Sequence, residues 1–512
     1  MRVSAQGACS VSFLGLIRVS SQGLNILTGP PLPASPSPSF SMTTVTPPST
    51  APRTVLESVD PATGEVVGAV PITPVESIPA VVAAARRAQV AWSAVPLEKR
   101  REILARAAEA LSADSSALGT LVTREMGKPL PEGIGEAKHG ASAYLEDLAE
   151  IARSLAPIDR SDARTCSQLR FDPLGVAAVI TPWNFPVLMA QDSVLPALLA
   201  GNAIVFKPSE ETPLVGDRWA APIREALRAA GHDEVLQVVH GDEAQGRALV
   251  RADVDLVVFT GSRAAGADIL AAAAGTLKRV VLELGGKDPL VVLADADLDA
   301  AAAFAARNCF RNAGQVCVST ERIYVDRAVS ERFTALLVEK ARGLRQGAGT
   351  EAGVAVGPMV NARQKAMVLR QIEDAVRRGA KVLLGGTAGE GNFVPPTVLV
   401  DLDHAMPIMR EETFGPVACV MSFRDEEEAV RLANDSPYAL GGAVFGSDAR
   451  ATRVAERLTS GMVGVNRGCG GAEGTPWVGA RQSGYGFRGG PEGHRQFAQV
   501  RVISKTRPSE GA

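Results

Sequence analysis

Residues 255–274 read DLVVFTGSRAAGADILAAAA. An apolar, β-branched run ends at Gly261 and Ser262, and an alanine-rich stretch with helical spacing of Ile269 and Leu270 follows, so the segment reads as strand, tight turn and helix. Such a junction presents free backbone N–H groups and the positive end of a helix dipole, which suits a phosphate. The spacing is G-S-x-x-x-G, closing on Gly266, and a serine that merely caps the helix explains it equally well. Working outward, 176–183 (VAAVITPW), 202–208 (NAIVFKP), 236–241 (LQVVHG) and 279–286 (RVVLELGG) read as further buried strands. Helical stretches separate most of them, and 78–92 and 100–111 also carry helical spacing. The pattern predicts an α/β fold built on a nucleotide-binding, doubly wound parallel sheet.

The chain has 512 residues, 53 basic and 56 acidic, for a formal charge of -3. That balance argues against a polyanion-binding surface, so nucleic acid is not an expected partner. The six cysteines (Cys9, Cys166, Cys309, Cys317, Cys419, Cys469) are dispersed without a CxxC pair. They fit a reducing, cytoplasmic setting better than a disulfide-stapled domain. No His/Cys cluster suggests a metal, and no apolar run is long enough to suggest a membrane span. Residues 28–54 are rich in Pro, Ser and Thr, and 1–54 are expected to be a disordered or non-native extension, with Met42 as an alternative start. The apolar run before them is broken by Ser12 and Gly15, which makes a poor signal peptide.

Two constellations could carry chemistry. Lys207 and Glu210 in VFKPSEETP lie just past a strand end, where a carboxylate can accept ribose hydroxyls; a solvated charged loop is the plainer alternative. Glu283 ends a strand before a glycine pair in LELGGKDP, and Cys317 follows in the glycine-containing turn FRNAGQVC. A cysteine nucleophile needs a close backbone, an oxyanion site and a base, and this pair offers those parts. Cys309 reads as a packed helix residue, whereas Cys469, in the glycine-rich 466–474, is expected to have access to the site.

The chain over 55–507 resembles the NAD(P)-dependent aldehyde dehydrogenase superfamily, of the hydrolytic, non-acylating type. The ordered motifs TPWNFP (181–186), KPSEETP (207–213), FTGS (259–262), LELGGKDP (282–289), GQVC (314–317), EETFGPV (411–417) and SGYG (483–486) carry the likeness. The resemblance implies that Cys317 attacks an aldehyde, that the Asn184 amide and the Cys317 N–H hold the oxyanion, and that Glu283 activates water to release the acid. It places the cofactor against Thr181, Pro182, Trp183, Lys207, Glu210, Gly261, Ser262, Leu284, Glu412 and Phe414. NAD is the preferred cofactor and NADP the alternative, because Glu210 would repel a 2′-phosphate.

It also implies a division into an NAD-binding domain (55–152 and 173–285), a catalytic domain (286–485) and a small β element (153–172 and 486–507). That element would pair subunits as a homodimer or homotetramer. Substrate is expected to be a small semialdehyde with a distal anionic group. Arg311 matches one position of a succinate-semialdehyde site, but Asp192 and Gly471 replace an arginine and a serine there, and a structural ion pair explains Arg311 equally well. Arg467 and Arg481 would add positive charge at the mouth. A CoA-acylating enzyme and a non-catalytic oligomeric binding protein are the rival readings. The chain departs from the family at Trp477, Val478, Arg481, Phe487 and Arg488, and at Ser193, where many relatives carry a lysine. Lacking that lysine and the family's C-terminal glutamate, Glu283 is expected to exchange its proton with bulk water.

Overall fold

The computed structural model describes residues 54–507, so the expectation for the N-terminal extension lies outside the described residues apart from Thr54. Five helices and sixteen strands matter for the site. The helices are α1 (Ile78–Ala94), α2 (Leu130–Leu155), α3 (Pro186–Leu199), α4 (Arg263–Ala274) and α5 (Leu298–Phe310). The strands are β1 (Ile158–Asp159), β2 (Thr165–Pro173), β3 (Val176–Ile180), β4 (Ala203–Lys207), β5 (Leu236–Val238), β6 (Leu256–Gly261), β7 (Arg279–Leu284) and β8 (Asp288–Val292). They continue with β9 (Thr320–Asp326), β10 (Lys381–Leu384), β11 (Thr397–Val400), β12 (Val417–Phe423), β13 (Ala443–Phe445), β14 (Gly464–Val465), β15 (Gly484–Tyr485) and β16 (Ala498–Thr506).

A six-stranded sheet has the order β15-β7-β6-β3-β4-β5 and is parallel except for β15. Every residue of β3 and β4 is buried, which is why these strands read as unbroken apolar runs: helices cover both faces. Ile180 pairs with Lys207 and with Phe259, and Gly261 pairs with Leu284. The carboxyl ends of four strands therefore align, and the residues just beyond them share one edge.

A seven-stranded sheet, β10-β11-β12-β9-β8-β13-β14, is parallel apart from β10. A three-stranded sheet, β16-β2-β1, joins the last strand to the segment after α2. Val500, Val502 and Ile503 of β16, an edge strand, are exposed.

Three readings of the sequence need correction. Ser154 and Leu155 are not extended; they finish α2 on its buried face, and the chain turns out only at Ala156. The helix expected over 100–111 is two, Leu97–Ala105 and Ala108–Met126, parted at Arg106 and Ala107. Gly484 and Tyr485, assigned to the second domain, instead extend the six-stranded sheet against Glu283 and Leu282. An edge strand of two residues is too short to carry a readable pattern. None of the described helices is long and apolar enough to cross a membrane.

Candidate active site

A cavity of about 1590 Å³ opens between the carboxyl edge of the six-stranded sheet and the loops of the seven-stranded one. Pro182, Trp183, Asn184, Gly261, Ser262, Glu283, Leu284, Cys317, Glu412 and Phe414 line it. Arg311 and Asp192 line it as well. Thr181, Lys207 and Glu210 are not among its lining residues; they lie at the ends of β3 and β4, farther along the same sheet edge.

Asn184 is placed by the start of α3. Pro186 opens the helix, where a missing N–H costs nothing. The free N–H groups of Val187 and Leu188 donate to Glu136 Oε1 at 2.9 and 3.3 Å. Glu136, on α2, is paired with Lys128 at 2.5 Å, and the Lys128 ammonium also donates to the Asn184 carbonyl at 2.7 Å. Both side chains are almost fully buried, so the pair acts as a fixed peg between α2 and the Asn184 turn. The Asn184 amide donates to the Gln315 carbonyl at 3.1 Å, two residues before Cys317.

The turn leading to Cys317 is tight. Asn312, Ala313 and Gly314 all have positive φ (51°, 55° and 71°), and a side chain at Gly314 would strike the Gly415 backbone. The Asn312 amide donates to the Gln315 carbonyl, and Gln315 in turn bonds Asn312 and Val360. Cys317 emerges from this knot partly exposed to the cavity. Burial first, then the neighbouring Glu283 charge, pushes its thiol well above the ordinary range. The resting sulfur is therefore a thiol that needs a base.

Glu283 lies at the end of β7, opposite Gly484. Its Oε1 accepts the Trp477 indole N–H at 3.3 Å, while Oε2 is buried without a hydrogen-bond partner. Arg488 approaches Oε2 at 3.8 Å. Burial raises the carboxyl above its usual range, and the Arg488 charge, then the Cys317 and Trp477 contacts, oppose that rise. Trp477 and Arg488 are the groups that sequence reading registered only as departures from a motif. Trp477 and Arg488 approach the carboxylate, which also lines the cavity.

On the cofactor side, Ser262 caps α4 by accepting the Ala265 N–H at 3.3 Å. Its hydroxyl has the plain capping role, yet Gly261, Ser262, Arg263 and Ala264 also line the cavity. A side chain at Gly261 or Gly266 would collide with Phe259 or Leu284, so the backbone can come close there. Thr260 Oγ1 is buried without a partner beside this junction. These features fit a dinucleotide along the sheet edge.

Lys207 is buried, 3.5 Å from Glu210, and burial lowers its ammonium's pKa. Glu412 accepts the Gly286 N–H at 3.0 Å, and burial raises its carboxyl. Phe414 meets Trp183 edge to face at 5.5 Å. Behind it, Glu321, paired with Lys287 at 2.6 Å, accepts the Thr413 and Phe414 N–H groups. Neither Lys128–Glu136 nor Lys287–Glu321 was singled out from the sequence, because a charged residue in isolation reads as surface.

At the mouth, Arg311 pairs with Glu132 through Nε at 3.3 Å and lies over the Phe185 ring at 5.4 Å. Gly470, Gly471, Ala472, Glu473 and Gly474 form one wall, so the glycine-rich segment does border the cavity. Arg467, Arg481 and Cys469 do not line it. Arg481 is turned away to donate to the Asn434 and Ser436 carbonyls at 2.6 and 2.7 Å. Cys309 is buried in α5, its thiol donating to the Thr320 carbonyl at 3.1 Å.

Comparison with known proteins agrees with this geometry. Residues 48–503 match the aldehyde dehydrogenase family. A probable NADP(+) succinate-semialdehyde dehydrogenase from Sinorhizobium fredii is 38% identical over 452 residues, 87% of this chain and 91% of that protein. A glutarate-semialdehyde dehydrogenase from Pseudomonas putida is 38% identical, over 88% and 94% of the two chains. A betaine aldehyde dehydrogenase from Staphylococcus aureus, solved with NAD+, superposes with a TM-score of 0.84 at 32% identity, covering 88% of this chain and 94% of that one. An Escherichia coli NADP dependent enzyme reaches the same TM-score at 35% identity, covering 88% and 95%. With the parallel sheets, the cavity and these relatives in agreement, the chain belongs to the aldehyde dehydrogenase family and is an NAD(P)-dependent enzyme that oxidises an aldehyde.

Proposed function

We propose that the chain oxidises a small aldehyde to its carboxylic acid through a thioester on Cys317, which water hydrolyses with Glu283 as general base. The observation that carries this reading is the buried Oε2 of Glu283, without a hydrogen-bond partner, in the cavity that Cys317 shares. The Cys317 thiol gives up its proton to solvent, the sulfur bonds the aldehyde carbon, and the oxygen becomes anionic beside the Asn184 amide and the Cys317 N–H. NAD(P)+, held by the α4 junction, Lys207, Glu210, Glu412 and Phe414, supplies the acceptor for the hydride that leaves this carbon. Water then loses a proton to the ionised Glu283 and adds to the thioester carbonyl; the C–S bond breaks, and Glu283 returns that proton to the sulfur, freeing the acid and the thiol.

Asn184→Ala is expected to lower kcat roughly a hundredfold or more, the usual effect of losing one oxyanion donor. A steady-state rate near wild type, in protein that melts normally, overturns that role.

For the substrate we favour an aldehyde with a distal anionic group. Arg311 at the mouth is anchored by Glu132 through Nε alone, and the semialdehyde dehydrogenases among the relatives support this reading. A second reading rests on charge: Glu146, Asp147, Glu150, Asp192 and Glu473 also line the cavity, a rim that suits an aldehyde with a distal cation. A screen of NAD(P)H formation over succinate semialdehyde, propionaldehyde, aminoaldehydes and benzaldehyde separates them. Arg311→Ala is expected to raise KM for succinate semialdehyde about tenfold while leaving propionaldehyde unchanged. An unchanged ranking, or a preference for aminoaldehydes, favours the acidic rim instead.

NAD is the cofactor we expect to be preferred, because Glu210, just past the end of β4, would accept ribose hydroxyls and repel a 2′-phosphate there. The exposed edge of β16 leads us to propose a homodimer or homotetramer.

A further inference from the structure

Arg488 is a buried cation with few places to put its charge. Its side chain is 4% exposed, and Nη1 donates to Ser193 Oγ at 2.9 Å. Nη2 faces Met189 Sδ at 3.4 Å and Glu283 Oε2 at 3.8 Å. The last distance is that of an ion pair without a hydrogen bond, so the carboxylate feels the charge yet keeps a free oxygen. Arg488 is tied by its own backbone to Trp477, whose N–H donates to the Arg488 carbonyl at 2.7 Å. Indole and guanidinium thus approach the two oxygens of one carboxylate from one backbone bridge. Closure of that bridge is fixed by Gly493, where any side chain would strike the Arg488 backbone.

The remaining ionisable groups whose charges act with Glu283 are the Cys317 thiol, Asp192 on α3, Asp288 on β8 and Glu412 before β12. The Cys317 contact favours the ionised carboxylate, whereas Asp192, Asp288 and Glu412 disfavour it when they are themselves ionised; Arg488 opposes that repulsion. A guanidinium does not deprotonate in a protein, and leaving it buried without a counter-charge is costly. Two carboxylates can supply that counter-charge, Asp192 and Glu283, and Glu283, at 3.8 Å, is the nearer.

We propose that Arg488, anchored by Ser193, is a positioning residue that holds Glu283 ionised, so that deacylation proceeds at a pH where a buried carboxyl would otherwise be protonated. The proposal rests on Glu283 being the base. Ser193 anchors the guanidinium, and the pair acts on Glu283 by charge.

The test uses 4-nitrophenyl acetate with NAD+ present. The thiol displaces nitrophenolate, forming the C–S bond in a burst, and water then releases acetate in the steady state, so the two steps are read separately. In Arg488→Gln the acid limb of the steady-state rate is expected to move up by about one pH unit, a tenfold loss on that limb, with the high-pH plateau roughly preserved. Burst amplitude should rise toward stoichiometry on that limb. Arg488→Lys should recover part of the shift, and Ser193→Ala should show a smaller shift of the same sign; these two carry the test if Arg488→Gln does not fold.

An equal loss at every pH, with the limb unmoved, marks a merely structural residue and overturns the proposal. If Glu283→Gln deacylates at the wild-type rate, the base assignment itself fails, whatever Arg488 does. If Glu283→Gln stalls while the Arg488 variants leave the limb unmoved, only the role of Arg488 fails.

Discussion

Cys317→Ser is expected to reduce NAD(P)H formation by roughly three orders of magnitude or more, the scale on which removal of a covalent nucleophile acts. Burial and Glu283 already hold the Cys317 thiol well above its ordinary range, so even sulfur depends on a base at this site. A hydroxyl loses its proton far less readily, and the same environment would penalise the alkoxide more. The other described cysteines offer no substitute: Cys309 and Cys419 are buried in the core, and neither they nor Cys166 and Cys469 line the cavity. Cofactor binding, followed by fluorescence titration, should survive, since the serine is smaller only at one atom. A variant retaining activity within tenfold of wild type shows that another group is the nucleophile.

Glu283→Gln is expected to separate the two half-reactions. The amide keeps the shape of the side chain, but cannot take a proton from water. A burst of NAD(P)H approaching the number of active sites should be followed by a steady state slowed by about a hundred- to ten-thousandfold, the span of general-base contributions. The pH dependence follows from the direction of the shift. Burial raises the folded value of Glu283, the base works only when ionised, and the wild-type rate therefore falls as pH drops through that raised value and levels off above it. In the glutamine variant that limb should vanish. An unaltered steady state with an intact acid limb removes Glu283 from the reaction. Loss of the burst as well would place it in the first step, as the base toward Cys317.

Much of the fold was legible because β3, β4 and β6 are buried on both faces and so appear as continuous apolar runs between helical stretches. The strand–turn–helix over 255–274 is present as β6, Ser262 and α4. Elements shorter than the pattern that signals them were not legible. Gly484–Tyr485 is a strand only because Glu283 and Leu282 offer it partners. The end of α2 at Leu155 was missed because its last turn is held by burial against the body of the protein, a tertiary effect that overrides local reading.

The cavity holds most of the expected residues and excludes some. Glu283 and Cys317 were legible as a pair, at a strand end and in a glycine-containing turn, whereas Asn184 was singled out only through the family resemblance; all three line the cavity. Arg311 was ambiguous in the sequence and proves to have an ion-pair partner, Glu132, on α2. Arg481 was expected at the mouth, but the Asn434 and Ser436 carbonyls draw it elsewhere.

By itself, then, the sequence determined the α/β class and offered a cysteine and a carboxylate suited to one chemistry; the amide entered with the family resemblance. These are properties of residue type and local periodicity, which short-range sterics and burial translate directly into strands, turns and helix starts. The tertiary structure alone decided what each charge faces. Trp477 reaches Glu283 across 194 residues of chain, and Arg488 lies farther still. Coulombic and hydrogen-bond energies depend on distance in space and on the local dielectric, and neither is written in the spacing of residues along the chain.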